Sequence, residues 1–293
     1  MKSIDDNRVT SYYSTDFTTT GALCALALSV SGGVMKIAVC VKQVPDSETR
    51  INLAEPSAEL DRSGFTRVLN PYDAYAVEEA IQIKEKLGDD TEVTAIIIGG
   101  EQVMESVKKD CLAVGCDKAI RVTDELDNAE ALQIAKVLAA VVKRDGYDLV
   151  LCGKQAIDDD DSQVGIMLAE LCDMAHVSVV TDLEFDGNNF TATREIEGGS
   201  EVVKGATPAL FTCQKGLNEP RLPSLPNIMK AGMKPVELLT CADLGIEVPA
   251  AHTEITTYIP PAKRGECKII ENEDPAAAAQ ELAKLLREEA KII

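Results

Sequence analysis

Short apolar runs alternate with stretches in which apolar residues return at helical spacing, and this rhythm holds from residue 36 to about residue 171. Lys36-Ile37-Ala38-Val39-Cys40-Val41-Lys42-Gln43-Val44 predicts a first buried strand, ended by Pro45. Residues 46–70 are polar and alternate weakly, a long excursion with room for a short hairpin. Asn70-Pro71 opens a helix on which Tyr75, Ala76, Glu79, Ile83 and Leu87 share one side, and Gly88 ends it. A strand at 93–98, a helix over 102–114, a strand at 118–122, a helix over 128–143, a strand at 147–152 and a helix at 166–171 follow. Strands alternating with helices predict parallel βαβ units, hence an α/β fold with a doubly wound, mostly parallel sheet.

Beyond residue 171 the pattern changes. Residues 182–185 and 190–196 flank an Asp186-Gly187-Asn188-Asn189 turn and predict an antiparallel hairpin, with 202–204 as a further partner and 208–213 as one more strand. After 217 the chain is punctuated by Pro220, Pro223, Pro226, Pro235, Pro249, Pro260 and Pro261, and its periodicity is weak. It closes in an alanine-rich helix from Pro275 to about Lys291. Such an extended C-terminal arm ending in a helix has few means of covering its own apolar groups, which predicts burial against this domain or a second chain, with the second chain favoured.

Composition narrows the partners. Asp and Glu total 49 against 29 for Lys and Arg, a formal net charge of −20. No basic stripe is available for a nucleic acid, and an anionic membrane is disfavoured for the same reason; a basic protein partner is favoured. Nine cysteines, none in a C-x-x-C pair, read as reduced thiols of a cytoplasmic protein. His176 and His252 have no cysteine at ligand spacing, so no metal site is expected. Residues 1–34 differ from the rest: a polar stretch, then the apolar Gly21–Val30, too short to span a bilayer. Asp5 and Asp6 offset Lys2 and Arg8, against a signal peptide, and Met35 stands directly before the first strand. They read as an N-terminal extension or an over-long start.

The most informative stretch is Gly153-Lys154-Gln155-Ala156-Ile157-Asp158-Asp159-Asp160-Asp161-Ser162-Gln163-Val164-Gly165, a polar loop between a predicted parallel strand and a helix. Open α/β sheets bind ligands at the carboxyl ends of their strands. The first amides of the following helix, near Ser162, Gln163 and Val164, lack partners within it and suit a phosphate oxygen. The four aspartates oppose simple capture of an anion, so they must turn away or bond to ribose or backbone. On the residues alone, a nucleotide site and a solvated acidic turn capping a helix both stand. No Ser-His-Asp set, no Walker lysine and no Gly-x-Gly-x-x-Gly after the first strand appear, which favours a binding or electron-carrying role over bond-making enzymology.

Several longer motifs point further. Val39-Cys40-Val41-Lys42-Gln43-Val44-Pro45-Asp46, Asn70-Pro71-Tyr72-Asp73, Ala76-Val77-Glu78-Glu79-Ala80, Gly153 through Asp160, Arg194-Glu195-Ile196-Glu197-Gly198-Gly199, and Leu217-Asn218-Glu219-Pro220-Arg221 through Leu225-Pro226-Asn227-Ile228-Met229-Lys230 resemble the beta subunit of electron transfer flavoprotein, over about 35–293. The resemblance implies an obligate heterodimer with an alpha subunit that holds most of the redox FAD. It implies one structural AMP on this subunit, electrons taken from acyl-CoA dehydrogenases and similar flavoenzymes, and delivery to a quinone oxidoreductase. It divides the chain into the extension at 1–34, an adenine-nucleotide-binding domain at 35–217, a partner recognition loop at 218–234, and an arm and helix at 235–293 packing on the alpha subunit.

The resemblance places AMP among Cys40, Asn70, Tyr72, Asp73, Gly99 and the loop residues Gly153, Lys154, Gln155, Ala156, Ile157, Asp158, Asp159, Asp160, Ser162, Gln163 and Val164, with Tyr72 facing the flavin. Where the family often carries Asn-Gln-Thr, this chain has Ser162-Gln163-Val164, so one hydroxyl is lost and the backbone amide must serve alone. Leu225, Ile228, Met229 and Lys230 are the implied contacts to the dehydrogenase. Two alternatives stay open: the bifurcating, NADH-dependent branch of the family, with a second FAD in place of AMP, and a nucleotide-binding regulatory or stress-type α/β domain.

Overall fold

The structure, a computed structural model, describes residues 34–292 except 54, 58, 125, 127, 248, 249, 261, 263, 264 and 266. The extension expected at 1–34 lies outside the described residues apart from Val34. The chain divides into two compact units. One runs to Ile51 and resumes over Arg62–Glu254; the other joins Asn52–Asp61 to Ile255–Ile293.

The first unit is built on a nine-stranded sheet, with β2 and β3 as a separate two-stranded ribbon. In chain order these elements are β1 Met35–Cys40, the short β2 Gln43–Pro45 and β3 Arg67–Leu69, α1 Pro71–Leu87, β4 Thr91–Ile98, a composite helix α2, β5 Lys118–Val122, α3 Ala131–Asp145, β6 Leu149–Gly153, α4 Val164–Leu171, β7 Ala175–Phe185, β8 Asn189–Ile196, β9 Gly199–Ala206, β10 Ala209–Cys213, α5 Leu225–Ala231 and β11 Val236–Leu239. The sheet order is β11-β5-β4-β1-β6-β10-β7-β8-β9. Every pair from β11 to β7 is parallel, and β7-β8-β9 is the antiparallel addition. Helix α2 begins as a 3₁₀ turn at Glu101–Val103, is α-helical over Met104–Ser106, and ends in a π turn over Val107–Leu112, where the Ala113 amide reaches the Lys108 carbonyl at 3.0 Å.

Strand alternation sends side chains to two aliphatic cores. Ile37, Val39, Leu149 and Leu151 pack with residues of α1 and α2 on one face. Ala38, Cys40, Val150 and Cys152 pack with α3 and α4 on the other. From β1 the chain steps outward to β4 and β5, then crosses through α3 to β6 on the opposite side of β1. The carboxyl ends of β1 and β6 are therefore the topological switch point of the sheet, where a crevice is expected.

Three readings change. The run at 36–44 is not one strand: the chain leaves the sheet at Lys42, whose amide donates to the Asp73 carboxylate at 2.7 Å, and Gln43–Pro45 pairs antiparallel with Arg67–Leu69 instead. Residues 225–231, read as a loop, form α5. Residues 236–239, read as the start of the arm, pair parallel with β5 as the outermost strand, and Leu239 and Cys241 enter the second core. The unpaired edge of β5 supplies the ladder that this four-residue run could not supply to itself.

In the second unit, Ser57 and Tyr258 exchange backbone hydrogen bonds of 3.0 and 2.7 Å. Helix α6, Pro275–Glu288, is begun by Asp274, whose carboxylate accepts from the Ala276 amide at 3.1 Å. It buries no residue, and Leu282 on its apolar side is exposed. Among the described residues no helix is long and apolar enough to cross a membrane.

Candidate functional site

The crevice at the β1/β6 switch point is organised from behind by two buried polar side chains at the start of α1. Asn70 donates to the Gln155 carbonyl at 2.8 Å and accepts from the Ile157 amide at 3.3 Å, so it fixes the loop that follows β6. Asp73 accepts from the Lys42 amide at 2.7 Å, from Asn70 Nδ2 at 2.9 Å and from the Gly153 amide at 3.0 Å. It thereby ties the end of β1, the start of α1 and the end of β6 together. Burial pushes its carboxyl up to about 7, although these donors and the Lys42 charge pull the other way. Asn70 and Asp73 are 1% and 5% exposed and are spent on the loop; they position it rather than face solvent.

Three of the four loop aspartates are engaged by nearby donors. Lys42 Nζ lies 2.8 Å from both Asp158 and Asp159. Gln155 Nε2 donates to Asp160 at 2.5 Å and Gln155 Oε1 accepts from Ser162 Oγ at 3.0 Å. Asp160 and Ser162 sit at φ of 54° and 56°, a conformation rarely held by such residues without compensating bonds. The outcome is that the amides of Ser162, Gln163 and Val164 donate no hydrogen bond among the described residues, and no side chain caps α4. Gln163 is exposed and Val164 half-buried, so these amides stand at the open side of the loop.

Glycines fix how closely the walls approach. A Cβ on Gly153 would meet Tyr72 Cβ at 2.7 Å, and one on Gly165 would meet Cys152 Sγ at 2.7 Å. Gly99, at the end of β4, has φ 146° and Val103 Cγ1 at 2.8 Å from the place of a Cβ, so that strand end stays bare. Cys40 ends β1 buried, and burial raises its thiol pKa far above the usual range. The Lys154 ammonium lies 5.1 Å from the centre of the half-buried Tyr72 ring, within cation–π reach, and the Lys154 amide ties the loop to the Cys213 carbonyl at 3.0 Å. Cys40, Asn70, Tyr72, Asp73 and the loop from Gly153 to Val164 thus gather at one switch point, with Gly99 at the neighbouring strand end. Sequence reasoning gave Lys42 no role; its only signal was a lone cation at a strand end in a chain with four consecutive aspartates.

The remaining named residues lie on α5. Leu225, Ile228 and Met229 are all exposed, as is Lys230, and Ala231 alone is buried. Ser224 caps the helix by accepting from the Asn227 amide at 3.4 Å. A cavity of about 540 Å³, lined by Lys36, Lys118, Arg144, Asp145, Tyr147 and Glu237, opens at the opposite, amino-terminal end of the strands. Its Arg144 forks onto Asp145 and Glu237, Lys118 pairs with Glu92, and Lys36 donates to the Asp145 carbonyl.

The electron transfer flavoprotein domain matches residues 59–244. The chain is similar to the electron transfer flavoprotein subunit beta of Bacillus subtilis, 41% identical over 88% of this chain and all of the relative. It is similar also to the subunits of that name from Homo sapiens, 36% identical over 86% of this chain and 99% of the relative, and from Syntrophomonas wolfei, 36% identical over 88% and 98%. With a family domain across most of its length and relatives matched nearly end to end, the chain belongs to the electron transfer flavoprotein beta subunit family.

Proposed function

We propose that this chain is the small subunit of a cytoplasmic heterodimeric electron carrier. Paired with an electron transfer flavoprotein alpha subunit, it keeps one AMP at the switch point and helps enclose a FAD held mainly by that partner. It presents α5 to acyl-CoA dehydrogenases and similar flavoenzymes, whose electrons pass on to a quinone oxidoreductase. What carries the reading is the combination of unspent amides at Ser162–Val164 with an acidic loop in which Asp158, Asp159 and Asp160 are already engaged by Lys42 and Gln155. An anion at α4 then meets donors and a favourable helix field, with three of the four neighbouring carboxylates already engaged.

The residues present fit an adenine nucleotide. The amides from Ser162 to Val164 would hold the phosphate, with Val164 contributing only its backbone, and Asp159 and Gln163 reach the ribose or phosphate. Cys40 and the bare strand end at Gly99 border the crevice, while Asn70 and Asp73 hold the loop in register. FAD, when bound, supplies the electron chemistry. Toward it this chain offers Tyr72, stiffened by Lys154, and the exclusion of water. Ile255–Ile293, with the uncovered stripe of α6, packs on the alpha subunit. This subunit acts as a carrier component and catalyses no bond-making step.

Heating the purified heterodimer and separating what is released tests the reading. About one AMP per dimer is expected from a single helix-end site, beside one flavin. Two flavins with absorbance that NADH bleaches would replace this reading with the bifurcating form of the family. Active protein that releases no nucleotide would overturn it.

A further inference from the structure

Helix α5 is seven residues long and buries only Ala231. A helix that short is unstable in water, because its nucleation costs more than its few hydrogen bonds return. Its order must come from its flanks, and both flanks are fastened by charge. On the amino side, Arg221 donates through Nε and Nη2 to Glu78 of α1 at 2.8 and 2.9 Å. Through Nη1 and Nη2 it also donates to Glu85, at 2.5 and 3.0 Å. Glu78 is buried, and although burial opposes ionisation, Arg221 holds its carboxyl below the usual range. Asn218 adds a donation to the Tyr75 carbonyl at 3.0 Å and to Glu79 at 2.8 Å. On the carboxyl side, Lys234 Nζ donates to the carbonyls of Leu112 at 2.8 Å and Cys116 at 2.6 Å. These lie at the carboxyl end of α2, where the helix dipole favours a cation.

Between the two fastenings, Leu225 and Met229 stand 73% and 75% exposed. Large apolar side chains held in helical order with nothing over them suit an apolar pocket on a partner. Lys234 is turned inward, which leaves Lys230 on α5 to meet a charged rim.

We infer that Arg221 and Lys234 are positioning residues that keep α5 folded before a partner arrives, so that docking does not have to order it. The inference rests on the reading of α5 as the docking face. A partner that binds only the folded helix loses apparent affinity in proportion to the folded fraction.

The test uses heterodimers carrying Arg221→Met, Lys234→Met and the milder Glu85→Gln, with Leu225→Ala as a separate arm. Hydrogen exchange of the amides over 225–231 is measured beside KM and kcat for electron transfer from an acyl-CoA dehydrogenase. Arg221→Met and Lys234→Met should lose exchange protection in α5. If the folded fraction falls to about one tenth, KM should rise roughly tenfold with kcat near the wild-type value. Arg221→Lys, which keeps the charge but not the fork, should recover part of both. Glu85→Gln leaves the Glu78 clamp in place and should fall between; with Lys234→Met it decides the matter if Arg221→Met fails to fold. Protection retained in every variant overturns the inference. So does protection lost with KM unchanged while Leu225→Ala still raises KM. If Leu225→Ala leaves KM unchanged, the docking reading itself falls, and the consequence drawn for docking falls with it.

Discussion

The switch-point loop at 153–163 and the segment at 218–234, which carries α5, are both fastened to α1, yet in opposite ways. The loop is gripped along its back by the buried polar groups Asn70 and Asp73, which leaves backbone donors facing outward. The later segment is gripped at its two ends by Arg221 and Lys234, which leaves apolar side chains facing outward. A small anionic ligand is read by fixed amides, and these need a rigid wall behind them. A protein partner is read by side chains that enter a pocket, and these need only a scaffold that keeps its shape. Where a segment is fastened therefore indicates what it presents.

The comparison breaks most severely at Gly153→Val. The new side chain would press on Tyr72 and on the Asp73 carboxylate. Stability should fall by about 3 kcal/mol, as overpacking against fixed walls does, and nucleotide should be lost; chemical denaturation and nucleotide content check both. Docking through α5 should survive in whatever heterodimer remains folded.

Asp73→Asn sharpens the same side. An amide cannot accept from three donors, so about 2 kcal/mol should be lost. Asp73 also leaves a signature in pH. Its folded carboxyl lies near 7, above the ordinary 3.8, so the folded state binds the proton more tightly than the unfolded chain. Its contribution to stability is full below pH 4 and is lost as pH rises through about 7. The difference in unfolding free energy between wild type and Asp73→Asn, measured across that window, should slope accordingly; a flat difference would show that Asp73 does not titrate there.

Leu225→Ala tests the other side. Electron transfer from the dehydrogenase should fall about tenfold or more, as expected on truncating a buried anchor, with AMP content and flavin spectrum unchanged in the same preparation. The smallest effect belongs to Lys230→Ala. Exposed rim charges steer encounter, so its association rate should drop about threefold at low salt and match wild type at high salt. Stopped-flow mixing at two ionic strengths reads this directly.

The sheet was legible because its strands are buried on both faces and its helices carry regular apolar sides; β4, β5, β6 and β10 fall within a residue or two of their predicted spans. The loop was legible because strand, glycine and helix follow one another in sequence. What was not legible depends on partners far along the chain. Helix α5 needs Glu78, Glu85, Leu112 and Cys116; β11 needs the edge of β5; the break after β1 needs Asp73. None of these leaves a local pattern, and proline spacing read alone suggested an open arm.

Helix α1 carries Asp73 toward one site and Glu78, Glu79 and Glu85 toward the other. At the rise of an α-helix, Asp73 and Glu85 are about 18 Å apart along its axis. The helix is thus a spacer of set length between the proposed nucleotide crevice and the proposed docking helix. A substitution that tilts or shifts it retunes both at once, so neither can drift alone through changes there. If α5 is the docking face, variation in partner preference is channelled instead to Leu225, Ile228, Met229 and Met233, whose exposed side chains can change without disturbing Asn70 or Asp73.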